Sequence, residues 1–145
     1  MRVSVIGGSS VSSAQYDLAR EVGKVLAERG HTVVCGGLGG VMAGVCRGAQ
    51  TADGQTIGIL PGSDPNAANQ YVETAVATGM GNARNALVVL NGDATIAIDG
   101  SMGTLSEIAL ALDAGHRVAG IETHSVDGVE AVSSPQAAVS YIEGE

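Results

Sequence analysis

One junction occurs three times along this chain: a short apolar strand runs into a cluster of glycines, and a helical pattern follows. The strands at 2–6, 31–35 and 94–98 each end in such a cluster. Apolar strands that alternate with helices are typical of a parallel sheet with helices on both faces. The carboxyl ends of parallel strands meet at one edge, so we expect the three clusters to line a common crevice there.

Hydrophobic periodicity extends this pattern over the whole chain and predicts an α/β fold, a Rossmann-like doubly wound parallel sheet in a single domain over residues 1–145. The remaining strands are predicted at 56–60, 72–77 and 117–121. Residues 61–66 are dense in turn-forming residues and are predicted to be a loop. Helices are predicted at 13–29, 40–51, 79–90, 103–114 and 134–143.

The glycine clusters predict binding of an anion, and phosphate above all. Glycine lets the backbone approach a ligand closely, and the first N–H groups of a helix favour negative charge. The candidate ligand-binding residues come from all three junctions: Gly7, Gly8, Ser9 and Ser10; Gly36, Gly37, Gly39, Gly40 and Met42; Gly100, Ser101, Gly103 and Thr104.

Two charged residues are candidates for chemistry at this site. Glu107 lies one turn into the helix after the third cluster, where it is either a ligand-facing carboxylate or the last residue of a capping box that starts at Thr104. Arg84 shares a helical face with apolar residues, so its guanidinium needs an anionic partner, either a carboxylate such as Glu107 or the phosphate of a ligand. His124 follows a strand and is a weaker candidate for the same edge.

Composition excludes several classes of function. The net charge of −8 would repel a nucleic-acid backbone, so no nucleic-acid partner is expected. Such acidity with a single lysine is typical of either a halophilic protein, whose stability should rise with salt, or an ordinary acidic bacterial one. Two cysteines are too few for a disulfide framework or a zinc site, and no apolar run reaches membrane-span length. We therefore expect a cytoplasmic protein with no metal site and no membrane association.

The glycine clusters also limit the size of the ligand. Residues 36–44 lack the third glycine of the dinucleotide fingerprint G-x-G-x-x-G, and no Gly-Lys pair forms a P-loop. A ligand of mononucleotide size is favoured over NAD or ATP. The only lysine, Lys24, is predicted on the polar side of the first helix, which excludes pyridoxal-dependent lysine decarboxylation.

Three segments together resemble the Lonely Guy family, whose members are often mislabelled lysine decarboxylases. They are residues 36–44, 81–85 and 100–107, and the resemblance runs over nearly the whole chain. It implies a Rossmann-like homodimer that hydrolyses the N-glycosidic bond of nucleoside 5′-monophosphates, with Arg84 and Glu107 as catalytic residues and no required cofactor.

The chain departs from the enzymes of that family at two places. Asp99 stands where they have a proline, and Asn85 follows Arg84 where they have a lysine. This variant is similar to a sister branch that includes molybdenum cofactor carrier proteins, which bind a phosphate-bearing pterin. Two functions stay open: a phosphoribohydrolase, or a carrier or sensor that binds a nucleotide or the molybdenum cofactor without turnover.

A homodimer is also expected from the helix after the third cluster. Leu105, Ile108 and Leu112 suffice to cover the sheet, so Leu110 and Ala111 leave a second apolar side for a partner.

Overall fold

The computed structural model describes residues 1–145 and confirms a Rossmann-like α/β fold in one domain. All strand pairs in its seven-stranded sheet are parallel, and the strand order is β4-β3-β2-β1-β5-β6-β7. The strands are β1 (Arg2–Gly7), β2 (Thr32–Cys35), β3 (Thr56–Leu60), β4 (Thr74–Ala77), β5 (Ala94–Ile98), β6 (Val118–Ile121) and β7 (Val129–Ala131). The helices are α1 (Ser13–Glu28), α2 (Val41–Thr51), α3 (Arg84–Leu90), α4 (Met102–Asp113) and α5 (Pro135–Ile142).

The sheet has its topological switch point between β1 and β5. The chain adds β2, β3 and β4 on one side of β1, crosses back through α3, and then adds β6 and β7 beyond β5. Helices α1, α2 and α5 contact one another on one face, and α3 contacts α4 on the other. At such a point the loops after β1 and β5 diverge, which opens a crevice at the carboxyl edge.

The core is built from small and branched aliphatic side chains on both faces of the sheet. The larger part joins the inward sides of α1, α2 and α5 to the sheet, and the smaller parts include Val88 and Val89 of α3 with Ile108 and Ala111 of α4. None of the five helices combines the length and apolar character needed to cross a bilayer.

The structure corrects the sequence-based prediction in three elements. The helix predicted at 79–90 begins only at Arg84, because Gly79 and Gly81 have φ of 63° and 60° and a 3-10 turn, Gly81–Ala83, precedes it. Strand β7 was not predicted, since three residues carry too little periodicity. Ala111 is buried in the core rather than exposed for a partner, whereas Leu110 is exposed as expected.

The fourth helix also begins earlier than predicted, at Met102 with Ser101 as its N-cap. Thr104 is therefore the third helical residue, and its Oγ1 accepts a hydrogen bond from the Ser101 amide at 3.3 Å. The interpretation of Glu107 as the end of a capping box was wrong, because Glu107 lies in the second turn, too far along the helix to reach the N-cap. Its carboxyl group is free for another role.

Candidate functional site

A cavity of about 220 Å³ opens at the carboxyl edge of the sheet, at the switch point. It brings together residues from all three glycine clusters with both charged candidates. The predicted site residues that line it are Gly7, Ser9, Gly36, Met42, Arg84, Ser101, Gly103, Thr104 and Glu107. The others, which do not line the cavity, are Gly8, Ser10, Gly37, Gly39, Gly40 and Gly100.

Two of these glycines, Gly8 and Gly40, lie where the first two loops pack against one another. The amide of Val41 donates to the Gly8 carbonyl at 3.0 Å, which joins the first cluster to the second. A Cβ on Gly40 would lie 2.3 Å from that carbonyl oxygen, and the φ of Gly40 is 62°, so only glycine fits there. These glycines permit close packing of two loops, whereas the sequence analysis assigned them to the ligand.

Arg84 is buried in the cavity wall, with 8% of the residue exposed. Its Nη1 donates to the side-chain carbonyl of Asn85, and its Nη2 lies 3.5 Å from the Gly36 carbonyl oxygen. Its Nε has no hydrogen-bond partner. A buried guanidinium is costly unless an anion compensates its charge, and no carboxylate of the chain forms an ion pair with this one.

Glu107 is equally buried, with 8% exposed, but forms no ion pair with Arg84 within 4 Å. Burial raises the pKa of the Glu107 carboxyl to about 7, against an opposing effect of the Arg84 charge. Burial also lowers the pKa of the Arg84 guanidinium, and Glu107 and Cys35 oppose that shift. The ion pair considered for Arg84 with Glu107 is not formed, and the raised pKa makes the Glu107 carboxyl partly protonated near neutral pH.

The side chains of Arg84 and Met42 both pack against the backbone of Gly36. A Cβ at Gly36 would lie 2.7 Å from both Arg84 Nη2 and Met42 Sδ, so the guanidinium and the thioether rest directly on its backbone. Beneath it, the thiols of Cys35 and Cys46 lie 3.4 Å apart and are both reduced and buried. The hydrogen bond from the Cys46 thiol lowers the pKa of Cys35.

The loop after β5 is fixed from outside the cavity. His124 Nε2 lies 2.9 Å from the Ser101 carbonyl oxygen, and Thr123 Oγ1 donates to the Asp99 carbonyl at 2.5 Å. Gln15 donates to the Asp99 carboxylate at 3.0 Å. His124 thus contacts the loop after β5 and does not line the cavity.

Several residues around the cavity were not found from the sequence. Leu38, Pro61, Asn82 and Asn85 line it, and Asn69 donates to the carbonyls of Gly37 at 3.3 Å and Leu38 at 2.9 Å. Asn69 lies in a loop that is distant in sequence from every glycine cluster. Only the pairing of β3 with β4 brings it near the second cluster. No group of three or more His, Cys, Asp or Glu side chains is placed to hold a metal ion.

The fold is Rossmann-like with a cavity at the switch point of its sheet, and comparison with known proteins gives the family. The model of the SLOG cluster4 family matches residues 1–144, and the chain belongs to that family. It lies within the Lonely Guy and molybdenum cofactor carrier superfamily that the motifs indicated.

Three relatives cover nearly all of the chain. An uncharacterized protein of Archaeoglobus fulgidus is 39% identical over 142 residues, which are 97% of this chain and 93% of that protein. The molybdenum cofactor binding protein of Rippkaea orientalis superposes with a TM-score of 0.92 at 32% identity, covering 99% of this chain and 95% of the other. The molybdenum cofactor carrier protein of Chlamydomonas reinhardtii gives a TM-score of 0.90 at 30% identity, with 99% and 96% covered.

Proposed function

We propose that this protein binds a phosphate-bearing ligand of mononucleotide size in the cavity at the switch point. The observation that carries the proposal is the buried guanidinium of Arg84, whose Nε has no partner within the protein. Phosphate oxygens are matched acceptors for such a planar, forked donor.

The first turn of α4 supplies the second half of the phosphate site. Ser101, Gly103 and Thr104 line the cavity at the N-terminus of this helix, where free N–H groups and the helix dipole favour an anion. Glu107 is the only acidic side chain on the cavity wall, and its raised pKa keeps much of it neutral near pH 7. It therefore opposes a phosphate group less than an ordinary carboxylate would.

Two kinds of ligand fit this chemistry: a nucleoside 5′-monophosphate, and the molybdenum cofactor, whose pterin carries a phosphate. The relatives named as molybdenum cofactor binding and carrier proteins support the second. We propose binding without turnover as the main function, because glycoside hydrolysis commonly uses a pair of carboxyl groups and this cavity has one. Neither function requires an additional cofactor.

A phosphoribohydrolase is the second candidate, and the pKa of Glu107 favours it. A carboxyl group with a pKa of about 7 is suited to general acid and base catalysis at neutral pH. Water would attack the anomeric carbon as the C–N bond breaks, and Glu107 would take a proton from that water and pass it to the nitrogen of the leaving base, so that neutral base and ribose 5-phosphate result. Arg84 would hold the phosphate.

Incubation with AMP distinguishes the two functions. We expect calorimetry to show AMP binding and chromatography to show no free adenine or ribose 5-phosphate. Release of adenine, reduced about 10²-fold or more by Glu107→Gln with AMP affinity kept, would establish the hydrolase instead. If neither AMP nor ribose 5-phosphate binds, the proposed site is wrong.

We also propose a homodimer through α3 and α4. Leu90 is 67% exposed at the end of α3, and Leu110 and Val76 are exposed on the same face of the sheet. We expect light scattering at micromolar concentration to give twice the chain mass of 14.4 kDa. Leu90→Glu with Leu110→Glu should give monomers, while the control Ala137→Glu on the opposite face should stay dimeric. A monomeric wild type would contradict the proposal.

The halophilic and cytoplasmic assignments rest on composition and stay predictions, as does the lack of a nucleic-acid partner.

A further inference from the structure

Two buried thiols lie beside the cavity, and the proposed function uses neither of them. Cys35 is the last residue of β2, and Cys46 lies in the second turn of α2. Their Sγ atoms are 3.4 Å apart, and both residues are fully buried. The chain has no other cysteine, so each is the only disulfide partner of the other within the chain. The sulfurs need to approach by about 1.4 Å to reach the length of an S–S bond.

The surroundings of Cys35 stabilise a thiolate. Hydrogen bonds from the Cys46 thiol and the Gly37 amide lower the pKa of Cys35, and the charge of Arg84 acts in the same direction, against the effect of burial. The hydrogen bond to Cys35, together with burial, raises the pKa of the Cys46 thiol. The thiolate is the form of cysteine that attacks an oxidant. Cys35 is therefore suited to react first, and Cys46 to react with its product.

The thiol pair is joined to the cavity through two lining residues. Gly36 directly follows Cys35, and Met42 lies one helical turn before Cys46 on the same side of α2. The Arg84 guanidinium and the Met42 thioether leave no room even for a Cβ on Gly36. Closely packed groups transmit a displacement because no free space absorbs it. A movement that draws α2 towards the end of β2 therefore displaces Gly36 and Met42 relative to Arg84.

We infer that Cys35 and Cys46 are a site of reversible disulfide formation, and that this disulfide weakens ligand binding in the adjacent cavity. The effect on the ligand rests on the proposed function, whereas the disulfide itself does not. Because neither thiol is exposed, the oxidant must be small, and a peroxide such as hydrogen peroxide meets this requirement.

The reaction consumes one hydrogen peroxide and yields two waters. Cys35 loses its proton, and its sulfur attacks one peroxide oxygen as the O–O bond breaks, which leaves a sulfenic acid. The departing hydroxide takes up the proton and becomes water. The sulfur of Cys46 then attacks the Cys35 sulfur, the S–O bond breaks, and the leaving hydroxide and the Cys46 proton form the second water. The two sulfurs together lose two electrons, which the peroxide gains.

The first measurement uses the wild-type protein, reduced with dithiothreitol, freed of it, and then treated with hydrogen peroxide. Alkylation in denaturant, followed by mass spectrometry, counts the free thiols. We expect both thiols to be alkylated before treatment and neither after it, and dithiothreitol should restore both. A peptide digest should place the crosslink between Cys35 and Cys46 of one chain.

The second measurement compares ligand binding by the reduced and oxidised forms in a calorimeter. AMP and ribose 5-phosphate should each bind the oxidised form about 5-fold or more weakly, and dithiothreitol should restore the affinity. Cys35→Ala is the matched control, since it keeps a small side chain in the core and cannot form the disulfide. It should bind both ligands as the reduced wild type does, before and after peroxide. Oxidation of Met42 would weaken binding by this variant too, and dithiothreitol would not reverse that loss.

The outcomes separate the disulfide from its effect on the ligand. Thiols that stay free in peroxide, that are lost irreversibly, or that crosslink two chains would show that the pair is not a disulfide site. A reversible disulfide with unchanged affinity for both ligands would overturn the link to the cavity and leave the proposed function standing. If the reduced protein binds neither ligand, the proposed function fails and the link to the cavity fails with it, while the thiol count still decides the disulfide.

Discussion

Glu107→Gln is expected to raise the stability of the protein at pH 8 and to leave it almost unchanged at pH 4.5. Burial raises the pKa of the Glu107 carboxyl from 4.5 to about 7, so the folded state holds this proton more tightly than the unfolded state does. Stability therefore falls as pH rises from about 4.5 to about 7, and the loss is complete above that range. Glutamine keeps the shape of the neutral acid and does not ionise. The difference at pH 8 is up to about 3 kcal/mol, or about 10 °C in Tm.

Thermal melts of the wild type and the variant between pH 4 and pH 8.5 measure this effect directly. The matched control is Glu21→Gln, which removes an exposed carboxylate from α1 and should shift the curve little at any pH. Parallel stability curves for the wild type and Glu107→Gln would show that Glu107 ionises normally in the folded protein. The hydrolytic role considered for it would then lose its physical basis.

Arg84→Gln is expected to weaken binding of AMP and of ribose 5-phosphate about 10- to 100-fold. The substitution removes charge-assisted hydrogen bonds to phosphate, each worth about 1.5–3 kcal/mol. Arg84→Lys should recover only part of the lost affinity, because an ammonium group keeps the positive charge but lacks the paired, coplanar N–H donors of a guanidinium. Both ligands should be affected equally, since they share the phosphate that Arg84 contacts. Isothermal titration calorimetry supplies the affinities.

The same variant should fold at least as well as the wild type. Arg84 is buried with one donor unsatisfied, so the free protein gains little from its charge. Arg20→Gln, on the exposed side of α1, is the matched control and should leave both affinity and Tm unchanged. Unaltered affinity in Arg84→Gln, with the protein folded, would place the phosphate elsewhere. A large loss of stability would instead make Arg84 a structural residue.

The sequence was sufficient to predict six of the seven strands and the edge of the sheet at which the cavity opens. Each strand before a glycine cluster is mostly apolar and mostly buried, as in β5, where all five residues are buried, and this pattern depends on neighbouring residues alone. Arg84 was found because a charged side chain on an apolar helical face needs an anionic partner, and Glu107 because it lies one turn into the helix that follows a glycine cluster. Their separation beyond ion-pair distance was not predictable, because it depends on where α3 and α4 rest on the sheet.

What the sequence did not predict depends on tertiary contacts or on backbone conformation. Asn69 supports the second glycine cluster only because β4 pairs with β3, and nothing near it in sequence indicates that role. The late start of α3 follows from two glycines with positive φ, which a helical pattern of apolar residues does not reveal. Strand β7 exists through its pairing with β6.

The chain crosses the switch point once, through α3, and this has a consequence for how the protein holds its ligand. The cavity takes Gly7 and Gly36 from one half of the sheet, Ser101 and Glu107 from the other, and Arg84 from the crossover between them. Neither half of the sheet contains all five. A chain in which either half has opened therefore loses the cavity, and binding of the proposed ligand would report that the two halves are joined.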